Sequence, residues 1–130
     1  MNKALIVAAV IVLILHGLIH LMGTTVYMKL GNVSALPYKT ALLGGRINVG
    51  EGGMAVFGAL WALAALGFVA SAIGLFAGWD WWRPILIGVT LLSLLLTLLD
   101  MDVAVAGVLV NLAILIAMWA SPRLSTLFAR

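Results

Sequence analysis

Apolar residues run almost unbroken through four stretches of this chain, about 4–26, 54–77, 82–99 and 103–120. A long glycine-bearing connection separates the first two, and short turns separate the rest. The first run, of about 23 residues at 1.5 Å each, reaches about 34 Å, enough to cross a hydrocarbon core with some tilt. The pattern predicts an all-α, transmembrane four-helix bundle running up-down-up-down, a single domain over 1–130 with one long loop between helices 1 and 2.

The few polar positions inside these runs fall at helical spacing. His16 and His20 stand one turn apart in the middle of helix 1, with Thr24 and Tyr27 continuing nearly the same face. In helix 3, Thr90, Ser93, Thr97 and Asp100 are spaced 3, 4 and 3 and make one polar face ending in a carboxylate. Asn111 lies near the middle of helix 4, at about the depth of His16. Lipid offers such groups no partners, so these faces are expected to turn towards one another. Helix 2 instead carries a stripe of small residues, Gly67, Ser71, Gly74 and Gly78, including a G-x-x-x-G from Gly74 to Gly78. Such grooves let helix backbones approach closely; the partner is another helix of the chain or a second copy.

The connections are read from their turn residues. Within the stretch 29–53, Ser34 to Leu43 is expected to form a short helix at the interface, with Pro37 in its first turns and Tyr38 as anchor. Arg46 and Glu51 are expected to be solvated loop charges that pair with each other. Trp79, Trp81 and Trp82 suit the headgroup region, and Asp80 is placed to cap helix 3. Asp100-Met101-Asp102 reads as a solvated turn in which Asp102 caps helix 4. Ser121-Pro122 is expected to end that helix.

Composition supports the membrane reading. The chain is 65% hydrophobic and only 8% charged, where a soluble domain has about 25% charged residues. Its mean hydropathy is +1.27. The net charge of +3 comes from basic residues scattered between apolar runs, so nucleic acid is not an expected partner. Cysteine is absent, which excludes disulfides and thiolate chemistry. The apolar run after Met1-Asn2-Lys3 exceeds the 7–15 or so residues of a signal h-region, so it is read as a retained first span. Lys3, Arg83, Arg123 and Arg130 fall on the side of the termini, against Lys29, Lys39 and Arg46 on the other. That asymmetry favours cytoplasmic termini in a bacterial inner membrane.

Candidate ligand-binding residues are His16, His20, Asp100, Asn111 and Glu51. Two neutral imidazoles at i and i+4 share a face about 6 Å apart and can ligate one metal, with a carboxylate from Asp100 or Glu51 completing the site. The same groups can instead hydrogen-bond one another and set helix register. H-x-x-x-H lacks the Glu of a zinc protease, and no catalytic set is recognised.

Four segments carry a resemblance to a known group: His16-Gly17-Leu18-Ile19-His20-Leu21-Met22-Gly23; Gly45-Arg46-Ile47-Asn48-Val49-Gly50; Leu60-Trp61-Ala62-Leu63-Ala64-Ala65; and Ala106-Gly107-Val108-Leu109-Val110-Asn111-Leu112-Ala113. In these the chain resembles small four-helix bacterial membrane proteins to which no activity is assigned. Asp100-Met101-Asp102 departs from the Trp-Pro-containing turn of that group. The resemblance implies fold and location only. Function is open between three readings. One is a non-enzymatic subunit or scaffold, docking through the groove of helix 2 to further copies or a larger membrane complex. The second is a module binding a ligand, metal, haem, quinone or lipid at His16 and His20, its cofactor unknown. The third is a small proton-coupled transporter acting as an oligomer.

Overall fold

In a computed structural model of the chain, residues 2–128 are described, the side chains of 123–128 excepted. Four helices make up most of it: α1 (Lys3–Tyr27), α2 (Gly50–Ala77), α3 (Trp82–Leu99) and α4 (Met101–Phe128). Each is long and apolar enough to cross a membrane. A two-stranded hairpin, β1 (Ala41–Leu42) and β2 (Ile47–Asn48), lies between α1 and α2.

Burial is inverted relative to a soluble protein. Leu5, Ile11, Leu15, Leu18, Leu63, Leu66, Phe76, Leu109 and Ile116 are all exposed, while His16, His20, Ser71, Thr90, Ser93, Thr97, Asp100 and Asn111 are buried. An outer surface of this kind suits lipid, with polar groups confined to the interior where they find partners. Each helix packs along its neighbour in sequence. Among the described residues no comparably tight contact joins α1 to α4. Gly23 lets Trp61 of α2 lie directly on α1, since a Cβ there would stand 2.6 Å from Trp61 Cδ2.

The small-residue stripe of α2 is largely filled from within the chain. A Cβ at Gly67 would meet Val89 Cγ2 at 2.5 Å, and one at Gly74 would meet Trp82 Cβ at 2.9 Å. Ser71 is buried between them and returns its hydroxyl to Gly67 O. Gly78 does not pack. It takes φ 72° as the left-handed cap that ends α2, with open space around it, a role that suits glycine.

Several local expectations are corrected. No helix forms over Ser34 to Leu43. Leu43, Gly44 and Gly45 adopt positive φ and turn the chain into the β1–β2 hairpin, and Leu43 N–H bonds Leu99 O at 2.9 Å. α2 starts at Gly50, four residues before the expected 54, because Asn48 Oδ1 accepts the Gly50 N–H at 2.9 Å and Glu51 suits the positive end of the helix. Glu51 pairs with Lys29 at 2.5 Å rather than with Arg46. Asp80 does not cap α3, whose N-cap is Trp81 with no side-chain bond.

α4 departs from its expected bounds at both ends. It breaks at Ala104 (φ −119°, ψ 23°), where the N–H groups of Val103 and Ala104 both turn back to Asp100 O. At the other end the helix continues through Pro122 to Phe128. Proline cannot donate to the carbonyl four residues earlier. That carbonyl, Met118 O, is served instead by Arg83 Nη2 at 2.7 Å and by the Ser121 hydroxyl at 3.2 Å. The side chain of Arg123, and Arg130, both used in the charge count, lie outside the described residues.

Candidate functional site

Three helices bring their polar faces to one place. His20 Nδ1 lies 2.7 Å from His16 O, and His20 Nε2 lies 2.6 Å from Ser93 Oγ. Asn111 Nδ2 donates to Ser93 Oγ at 2.8 Å and to Thr97 Oγ1 at 3.3 Å. His16 Nε2 lies 3.0 Å from Asn111 Oδ1.

The direction of every proton in this chain follows from one acceptor. A backbone carbonyl can only accept, so His20 Nδ1 must donate to His16 O. In a neutral imidazole the other nitrogen then accepts, so the Ser93 hydroxyl donates to His20 Nε2. Ser93 Oγ is thereby left to accept from Asn111 Nδ2. That aims Asn111 Oδ1 at His16, whose Nε2 must donate. The two histidines therefore hold opposite tautomers. Their network ties α1 to α3 and α4, across the seam that the α1 and α4 backbones leave open.

A cavity of about 230 Å³ occupies that seam. His16, His20, Trp61, Thr97 and Asp100 are in its wall, together with apolar residues of α1, α4 and the connection after α1. Phe68 closes over both imidazoles, with ring centroids 4.7 Å from His16 and 5.3 Å from His20.

Asp100 is fully buried rather than part of a solvated turn. Its Oδ2 accepts the hydroxyl of Tyr27, and its Oδ1 faces the ammonium of Lys39 in an ion pair. Lys39 also bonds both oxygens of Asp102, at 3.0 and 3.1 Å. Asp102 thus serves as a partner for the loop lysine in the first turn of α4. Burial alone would lower the pKa of Lys39, but its hydrogen bonds to Asp100 and Asp102 and their charges outweigh that and hold it above the ordinary lysine value. A raised lysine pKa stabilises the fold fully below the unfolded value of 10.5, and the contribution is lost as pH climbs through the higher folded value. Lys39 therefore latches the connection, whose Ala35 and Leu36 line the cavity, onto the α3–α4 turn throughout the neutral range.

Of the residues expected to form a site, His16, His20 and Asn111 share one network, and Asp100 lines the same cavity as the imidazoles. Glu51 is not brought to them. It is exposed, beside Lys29, whose ammonium also sits 5.0 Å from the Tyr38 ring centroid. The hydrogen bond to Glu51 raises the pKa of Lys29. Among the described residues no three His, Cys, Asp or Glu side chains are placed to hold a metal ion. Both nitrogens of His20 and the Nε2 of His16 are already in hydrogen bonds.

Trp61 and Lys39 were not among the candidates. A signal for Trp61 existed: tryptophan favours membrane interfaces, and this one stands well inside a long apolar run. Nothing local marks Lys39 as the partner of a buried carboxylate about 60 residues away.

No known protein family matches this chain, and neither does any curated protein or solved structure. The likeness to small four-helix bacterial membrane proteins stands on the quoted segments alone.

Proposed function

We propose that the chain is a multi-pass protein of a bacterial cytoplasmic membrane. In this reading it runs up-down-up-down with both termini cytoplasmic, and acts without catalysis as a binding module for a small lipid-soluble ligand. The order of contacts supports the topology. Gly17 meets Phe68, Gly23 meets Trp61 and Tyr27 meets Gly58, so positions rise along α1 as they fall along α2. Gly67 with Val89 and Gly74 with Trp82 repeat this for α2 and α3, as do Ser93 with Asn111 and Thr97 with Gly107 for α3 and α4. The orientation rests on four Lys and Arg residues against three.

The observation that favours ligand binding is the cavity itself. It lies in the open α1–α4 seam, where a molecule dissolved in lipid has a way in, and it mixes a few convergent polar groups with an apolar wall, as binding sites do. The scaffold reading relied on the groove of α2, and Gly67 and Gly74 already hold α3 residues there. A scaffold would have to dock through another surface.

Ala106 lines the cavity from an exposed position on α4, so a larger side chain there fills the cavity without entering the packed core. Protein extracted gently and examined by native mass spectrometry is expected to retain a bound small molecule. Ala106→Phe is expected to lose it, with unchanged helix content. Wild-type protein that carries nothing, or a variant with the same complement, contradicts the proposal. A haem absorption band or a stoichiometric metal that disappears on replacing His16 and His20 would put the cofactor reading in its place.

A further inference from the structure

Reading the α1–α4 cavity as a ligand site, the polar groups in its wall state what it selects. Nearly all of them are spent within the chain. His16 Nε2 is taken by Asn111, and His20 by His16 O and Ser93. The Thr97 hydroxyl donates to Ser93 O at 2.8 Å and accepts from Asn111. Asp100 has Tyr27 on one oxygen and Lys39 on the other.

Among the described residues two groups are left over: His16 Nδ1, bare in the tautomer derived above, and one donor. The indole N–H of Trp61, in a residue only 6% exposed, has no acceptor among the described residues. Asp100 Oδ1 is already met by the Lys39 ammonium as an ion pair. Trp61, which lines the cavity, thus carries a spare donor, His16 a bare acceptor at Nδ1, and no charge is left uncompensated. A buried N–H without a partner is unfavourable, and a molecule that brings an oxygen to it recovers that loss. A molecule with no acceptor atom recovers nothing there.

The remaining surface is apolar, from Ile19 and Met22 of α1, Leu36, and Val103 and Val110 of α4. A cavity of about 150 Å³ accommodates benzene. The 230 Å³ here accommodates a ring with a short polar substituent.

We infer that Trp61 donates a hydrogen bond to an uncharged, lipid-soluble ligand whose head is a single substituted ring bearing a carbonyl or ether oxygen. The oxygen is fixed by the indole N–H, the ring lies among the apolar residues, and any tail leaves through the α1–α4 seam into lipid. Recognition requires no titration of the imidazoles, whose task is to hold the seam at the width the ring needs.

Two probes of the same shape test this: acetophenone, which has the carbonyl oxygen, and α-methylstyrene, which has a methylene in its place. The protein is labelled with ¹⁵N-tryptophan and ¹³C-methyl methionine and embedded in lipid nanodiscs. Acetophenone is expected to move the Trp61 indole proton downfield and leave the other four indoles in place. Both probes are expected to shift the Met22 methyl signal, but only acetophenone to move the Trp61 proton. Trp61→Phe is expected to weaken acetophenone about tenfold and α-methylstyrene hardly at all. Should that variant not fold, the indole shift in wild-type protein decides, with the other four assigned through their own Phe variants. If both probes shift Met22 and neither moves the Trp61 proton, the inference is overturned while the cavity remains a ligand site. A Trp61 proton already in its hydrogen-bonded position before any probe is added, and unmoved afterwards, overturns it too, because water then fills the role. If neither probe reaches Met22, the inference and the ligand-site reading fall together.

Discussion

Replacing Asp100 with alanine is expected to destabilise the protein by about 3 kcal/mol, towards the lower end of what removing one partner of a buried ion pair costs. The carboxylate is fully buried, holds the Tyr27 hydroxyl on one side and neutralises Lys39 on the other. Without it, Tyr27 keeps a buried hydroxyl with its acceptor gone. Lys39 keeps only Asp102, whose side chain is 43% exposed, and that residual pairing holds the loss near the lower end. Asp100→Asn restores an acceptor for Tyr27 but not the charge, and is expected to lose about half as much. Asp102→Ala is expected to cost under about 1 kcal/mol, as exposed ion pairs do. Unfolding in mixed micelles, followed by circular dichroism, ranks the three. Equal losses for Asp100→Ala and Asp102→Ala would mean that Asp100 is solvated after all.

The second large effect belongs to Asn111. Leucine has nearly its shape, so Asn111→Leu removes three hydrogen bonds with little change in packing. Interhelical hydrogen bonds in membranes average about 0.6 kcal/mol each, so the bonds themselves account for about 2 kcal/mol. His16 is then left with a donor and no acceptor, which adds about 1 kcal/mol or more. The total expected is about 3 kcal/mol, measured by the same unfolding assay. Adding His16→Leu to Asn111→Leu removes the stranded donor as well. The double variant should therefore be no less stable than the single one, a coupling that a double-mutant cycle reads directly. Simple addition of the two losses would mean that the side chains do not meet.

The four long apolar helices were legible because a long apolar run without turn residues has one local way to satisfy its backbone. Two of the polar positions on α3, Ser93 and Thr97, were legible as a face from spacing alone, and they do converge with His16, His20 and Asn111. What escaped was set by contacts between distant segments. Asp100 looks like half of a solvated turn beside Asp102, and its burial depends on a lysine delivered by the long connection. The continuation of α4 past Pro122 depends on Arg83, at the start of another helix, reaching Met118 O. The connection itself reads as an interfacial helix from Pro37 and Tyr38, but its backbone groups find partners in the hairpin and at the end of α3. Trp61 passed as one more apolar residue because its consequence, an N–H without an acceptor, exists only once its neighbours are in place.

Hydrophilic side chains from three helices form one directed hydrogen-bonded chain across the seam in which the cavity lies. The ¹⁵N spectrum of the two imidazoles in lipid nanodiscs tests it most directly, since protonated and bare ring nitrogens resonate far apart. Two neutral rings of opposite form are expected, His20 with its proton on Nδ1 and His16 with its proton on Nε2. Two rings of the same form, or rings averaging rapidly between forms as in water, would show that the chain of hydrogen bonds does not exist.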